Sequence, residues 1–133
     1  MYVYNFWIMI FTKITLFFAN WISFIFSSLV PVKKNLIIFT GTSISTYNEN
    51  SRYLYEYLVK NQKLSPIWMT NSVTVYNYLD NKKYPVIWHK SFQGLWHYAR
   101  AGVVIATGMS YPSLLKFVGN KTIKIWVGHG TGV

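Results

Sequence analysis

Apolar residues fill the first thirty positions almost without a break, and then their spacing changes character. Between Met1 and Val32 the one charged side chain is Lys13. A helix needs about 20 apolar residues to cross a bilayer, and this stretch supplies them. Trp7 and Trp21 are rings that favour the headgroup level. Asn5, Thr12, Lys13, Asn20, Ser23 and Ser27 fall broadly on one side of a helical wheel, which leaves open a helix lying in the interface. The basic pair Lys33–Lys34 follows the apolar segment behind Pro31, the reverse of a secretory signal. The positive-inside rule then puts the chain from residue 33 onward in the cytoplasm. The pattern thus predicts a membrane-anchoring helix over 1–32 and a second unit over 33–133, at the cytoplasmic face of the cell membrane.

Behind the anchor, short continuous apolar runs alternate with segments of helical spacing. Asn35 to Gly41 reads as a strand buried on both faces. Ser51 to Gln62 reads as a helix with Tyr53, Leu54, Tyr57 and Leu58 on one face and Asn50 or Ser51 as its N-cap. Ser65–Thr70 is a second strand, and Ser72–Asp80 a helix with Val73, Tyr76 and Leu79 inward. Pro85–Trp88 is a third strand. Ser91 caps a helix whose inward positions are Phe92, Leu95, Trp96 and Ala99, closed by Gly102 as a C-cap. Val103–Gly108 and Thr122–Val127 are the last two strands, joined by a loop with a helical turn near Leu114. Strands alternating with helices imply an α/β fold with a Rossmann-like, mostly parallel sheet.

Composition narrows the partners. Thirteen Lys and Arg stand against three acids, a formal net charge of +10, and charged residues make up only 12% of the chain. That balance favours anionic partners. No nucleic-acid signature is present, so acidic lipid near the anchor accounts for it better. With no cysteine, and with three histidines and three acids scattered, disulfides are excluded and no metal site or cofactor is expected. Trp68, Trp88, Trp96 and Trp126 are expected in the core rather than on a stacking platform. His89 and His97 read as surface or half-buried residues rather than ligands.

Candidate chemistry lies where strands end. The Gly41–Thr46 loop is neither a dinucleotide fingerprint nor a P-loop, and an ordinary strand-to-helix connection is the plainer reading. Arg52, in the first turn of its helix, is a candidate for meeting an anionic group. The last strand delivers His129 into Gly128-His-Gly-Thr-Gly-Val. His129 is suited to moving a proton near neutral pH. Gly128, Gly130 and Gly132 let the backbone approach a substrate closely, and Thr131 adds a hydroxyl.

Three stretches resemble the CDP-glycerol glycerophosphotransferase family of teichoic acid synthesis. They are Asn50-Ser-Arg-Tyr-Leu-Tyr-Glu-Tyr-Leu, Tyr98-Ala-Arg-Ala-Gly-Val-Val-Ile-Ala, and Lys124-Ile-Trp-Val-Gly-His-Gly-Thr-Gly, the last similar to a Trp-His-Gly-Thr motif. The resemblance implies the amino-terminal half of a two-domain GT-B transferase. It also implies transfer of glycerol phosphate from CDP-glycerol to a lipid-linked polyol-phosphate acceptor, with His129 catalytic. On the same grounds the chain is expected to be a truncated form, inactive alone because the nucleotide-binding half is missing. A non-enzymatic, membrane-anchored module binding an anionic polymer or a partner protein is the alternative.

Overall fold

The computed structural model describes Ile25 and residues 29–108 and 121–128. The expected anchor over 1–32 and the loop after Ser110 lie mostly outside these residues. Among the described residues no helix is long and apolar enough to cross a membrane.

Five strands and three helices alternate along the chain: β1 Lys33–Thr40, α1 Glu49–Asn61, β2 Ser65–Thr70, α2 Val73–Asn81, β3 Val86–Trp88, α3 Phe92–Arg100, β4 Ala101–Ala106 and β5 Ile123–Trp126. The strands form one sheet in the order β3-β2-β1-β4-β5, and every neighbouring pair is parallel. The α/β reading and the five strands anticipated from the apolar runs are therefore present. The order runs outward from β1 in one direction through β2 and β3, then restarts beside β1 with β4. A doubly wound sheet has its topological switch point at such a reversal.

The continuous apolar run of β1 is explained by its position. Leu36 and Ile38 join a cluster with Met69, Ile87, Tyr98 and Val104, on the face covered by α3. Ile37 and Phe39 join Tyr55, Trp68, Leu79 and Ile105, on the face covered by α1 and α2. A central parallel strand with helices on both sides has no polar face to show, so alternation disappears. On the α1 side the core is aromatic. The Trp68 ring stacks 6.3 Å from Phe39 and meets Tyr47 edge-on at 4.6 Å and Tyr55 at 5.4 Å.

Several local expectations are corrected. On α1, Tyr53 and Tyr57 are exposed, Leu54 lies at the edge of the surface, and the packed stripe is Ser51, Tyr55, Leu58 and Val59. Tyrosine suits either face of a helix. The choice is made by Tyr55, whose hydroxyl donates to the Pro85 carbonyl at 2.6 Å. The N-cap of α1 is Asn48, so Asn50 and Ser51 lie inside the helix. On α2, Leu79 is buried and Tyr76 packs edge-on against Trp88, but Val73 is exposed. On α3, Phe92 is 81% exposed while Gly94, Tyr98 and Ala99 are buried, because the helix start presses on the end of β3 at Gly94. Gly102 is not a C-cap but lies within β4. A Cβ there would stand 2.6 Å from the Lys34 carbonyl oxygen, so glycine permits the close pairing of β4 with β1.

The corrected face of α1 is testable by urea unfolding. Tyr55→Ala is expected to destabilise the fold by about 3–5 kcal/mol, as for a large buried aromatic. Tyr55→Phe, which removes one of two donors to the Pro85 carbonyl and leaves the Trp68 amide on it, is expected to cost about 1 kcal/mol. Tyr53→Ala should stay within about 0.5 kcal/mol. Equal losses for Tyr53 and Tyr55 would contradict this packing.

Candidate functional site

Parallel strands send all their carboxyl ends to one edge of the sheet, and the switch point between β1 and β4 lies there. Three segments meet at it: the loop after β1, the turn after β4, and the end of β5. Gly108 follows β4 so closely on the first loop that a Cβ would overlap the Thr42 backbone. The first turn of α1 closes the group. Ser51 is fully buried, and both its amide and its hydroxyl bond the Thr107 hydroxyl. The Thr107 carbonyl accepts from Trp126 Nε1 at 2.6 Å, and the Val127 amide donates to the Ala106 carbonyl at 2.9 Å. Asn50 completes the tie by donating from Nδ2 to the Gly128 carbonyl at 3.3 Å, across 78 positions of sequence.

The end of β5 is thus held against the amino terminus of a 13-residue helix, where the helix dipole favours negative charge and Glu49 already supplies one. Gly128 sits in this arrangement. His129, its covalent neighbour, lies outside the described residues, as do Gly130, Thr131 and Gly132.

Arg52 stands one turn into α1 with its guanidinium engaged. Nε donates to Glu56 Oε1 at 3.0 Å, and the group lies over the rings of Tyr47 and Tyr53, 5.2 and 5.9 Å from their centroids. The hydrogen bond to Glu56 raises the arginine pKa further. Partial burial works to raise the Glu56 pKa, but the hydrogen bonds from Arg52 and from the Tyr47 hydroxyl at 2.8 Å outweigh it, so the carboxyl titrates below its ordinary range. Tyr47 is pushed far up, by burial first and by its bond to Glu56 second.

The hydroxyls of the loop after β1 are mostly engaged with one another. Thr46 Oγ1 accepts from the Ser43 amide at 3.0 Å and donates to the Ser43 carbonyl at 3.0 Å, and it pairs with Thr42 Oγ1 at 3.1 Å. Asn48 Oδ1 accepts from the Thr42 amide at 3.3 Å. The loop is a self-bonded connection, as the plainer reading of its sequence held.

Pattern reading did not single out Thr107, and it placed Asn50, Ser51 and Trp126 in other roles, as N-cap candidates and a core ring. Trp126, expected in the core, is half exposed, and only its indole N–H is engaged inward. No local signal shows the contacts of these residues, since each acts across the sheet. His89 also departs from expectation. It follows β3 and is buried, and neither ring nitrogen has a hydrogen-bond partner among the described residues. Burial, and then the charge of Lys90, hold its pKa below the ordinary histidine value.

The fold is a doubly wound α/β domain with a candidate edge at the switch point, where open sheets of this class bind their ligands. The profile of the CDP-glycerol:poly(glycerophosphate) glycerophosphotransferase family matches residues 22–132, and the chain belongs to that family. Membership places it among the transferases of teichoic acid biosynthesis. Against curated proteins and against solved structures the chain shows no match.

Two predictions come from this edge. Ser51→Ala removes the buried hydroxyl–hydroxyl bond to Thr107, which keeps the amide of residue 51 as a donor, and is expected to cost about 1 kcal/mol. The exposed Asn50→Ala should cost no more than about 0.5 kcal/mol while speeding amide exchange at Val127 and Gly128. Unchanged exchange at Gly128 would show that Asn50 does not hold this segment.

For His89, a depressed folded-state pKa means that the unfolded chain binds the proton more readily. Its contribution to stability is complete above the unfolded value of about 6.5 and is lost as pH falls through the folded value. Thermal unfolding from neutral pH downward should show a falling Tm whose slope flattens in His89→Gln. An identical slope in the variant would assign the effect to other groups.

Proposed function

We infer that this chain takes part in moving glycerol phosphate from CDP-glycerol to a hydroxyl of a lipid-linked poly(glycerophosphate) acceptor, with His129 as the general base. The reading is supported by one coincidence above all. The family match runs to residue 132, across the end of β5, and that strand end is tied to the first turn of α1 through Asn50 and Gly128.

In this reaction the acceptor oxygen attacks the phosphorus that carries the glycerol. A new P–O bond forms, the bond to the cytidylate oxygen breaks, and CMP leaves with that electron pair. The acceptor proton goes to His129, whose basicity suits proton uptake near neutral pH. The glycines 128, 130 and 132 let the backbone approach the phosphates, and Thr131 offers a hydroxyl to them. The helix start beside Gly128 favours the same negative charge. Arg52 uses Nε for Glu56 and keeps its two terminal nitrogens for an anionic group. The sheet is read as the amino-terminal half of a GT-B fold. Residues 1–32 are read as an apolar anchor that keeps the domain at the cytoplasmic face of the membrane, where a lipid-linked acceptor resides.

The test is CMP release from CDP-glycerol by the membrane-reconstituted chain, with and without lipid-linked acceptor. Acceptor-dependent release is expected when a nucleotide-binding GT-B half is present with the chain, and His129→Ala should then lower it by about 10²–10⁴-fold. Release that persists at full rate in His129→Ala removes the base assignment. No release from the parent chain even with that half present removes the catalytic reading and favours a binding module.

A further inference from the structure

The end of the sheet opposite the candidate site gathers positive charge. All five strands begin there because the sheet is parallel, and each begins beside a cation. These are the Lys33–Lys34 pair at β1, Lys63 before β2, the Lys82–Lys83 pair before β3, Arg100 before β4 and Lys121 before β5. Asp80 is the acidic side chain at this end among the described residues. At the carboxyl end Arg52 is neutralised by Glu56, and Lys90 remains.

Beside the starts of β1 and β2 this charge converges on a hollow of about 110 Å³, lined by Lys33, Ser65, Trp96, His97 and Arg100 over a floor of Leu36 and Ile67. Arg100 is laid along Trp96, its guanidinium carbon 5.2 Å from the ring centroid. Its Nε is buried and has no hydrogen-bond partner among the described residues. The guanidinium lines the hollow, so its charge can meet an anion there. His97 is fixed at the rim, with Nδ1 2.8 Å from the Gln93 carbonyl. A second, larger hollow of about 510 Å³ opens at the same end, apolar along Pro31, Val32, Val103 and Ile123 and flanked by Lys34 and Lys121.

The apolar segment of the chain also enters here. Residues 29–32 lead directly into β1, and Leu29 among them is exposed. An ammonium, a guanidinium and a hydroxyl around one small hollow suit a phosphate group, and the surrounding lysines suit an anionic leaflet. The candidate site lies at the other end of the sheet, so its substrate does not account for this hollow.

We propose that the amino-terminal end of the sheet is the bilayer-docking surface of this protein, and that the Lys33–Ser65–Arg100 hollow takes the phosphate of an anionic phospholipid headgroup. The proposal rests on the membrane reading of residues 1–32 and adds headgroup choice and orientation to it. In this orientation the candidate site faces away from the headgroups by about the length of β1, eight residues at about 3.3 Å each, or roughly 26 Å. The acceptor would have to extend that far from its lipid.

The experiment is partitioning of the full-length chain between vesicles of phosphatidylcholine alone and vesicles containing phosphatidylglycerol, with far-UV circular dichroism confirming each variant's fold. The parent is expected to prefer the anionic vesicles. Lys33→Gln, Lys63→Gln and Arg100→Gln should each reduce that preference about fivefold while leaving binding to phosphatidylcholine unchanged. Lys63, fully on the surface, keeps the test valid if Arg100→Gln fails to fold. Lys90→Gln removes the same charge from the opposite end and should leave the preference within about twofold, since it lies beyond the screening length of the leaflet. Equal losses for Lys90→Gln and Lys33→Gln would mean that net charge acts without orientation, which overturns the proposal. Binding to both vesicle types without preference also overturns it, while sparing the apolar anchor. No binding to either overturns the anchor reading as well. Inorganic phosphate is the further arm. If it raises the parent's Tm in an Arg100-dependent way and leaves the vesicle preference intact, the hollow serves a soluble anion and the lipid assignment falls.

Discussion

β1 enters the sheet with Leu36 and Ile38 packed toward α3 and Ile37 and Phe39 packed toward α1 and α2, and the rest of the architecture is organised by that double burial. A strand with two apolar faces is stable only at the centre of a sheet with a helical layer on each side. Once β1 is central, β2 and β4 must flank it, and the helix joining β3 to β4 lies on the opposite face from α1 and α2. The reversal of strand order beside β1 follows, and with it the ligand edge. Parallel pairing then separates the molecule into two ends with different chemistry. The carboxyl ends carry loops and a helix start, and the amino ends carry the cations.

The ligand edge is built from bonds that join distant parts of the chain. Ser51 reaches Thr107, Trp126 reaches the same residue's carbonyl, and Asn50 reaches Gly128. The Ser51–Thr107 pair is the buried one and fixes the start of α1 against β4. The Asn50 bond is exposed and weaker, yet it is the one that holds the strand end leading to His129.

Much of this was visible in the sequence. The continuous runs at Leu36–Phe39 and Val103–Ala106 announced buried parallel strands, and Ser72 and Ser91 announced their helices correctly, since each hydroxyl accepts from an amide three residues on. The helix faces were less legible. Tyr53, Tyr55 and Tyr57 offer two overlapping stripes of similar amphipathic character, and Phe92 is more apolar than Tyr98 although Tyr98 is the buried one. Gly102 stood where a helix stop was plausible, and only its contact with the Lys34 backbone shows its use inside a strand. His89 looked like an ordinary surface histidine because nothing in the residues beside it signals its burial.

What the sequence determined by itself was the order of elements, the α/β class and the glycine-framed histidine after the last strand, because periodicity and short motifs are local properties. It also carried the family relationship, since order and spacing of motifs survive in a linear chain. Tertiary structure decided which faces are buried, which residues tie Gly128 to α1, and that the scattered lysines share one end of the sheet. Those outcomes depend on parallel pairing and on contacts across tens of residues. No local window of sequence contains the energy of such contacts.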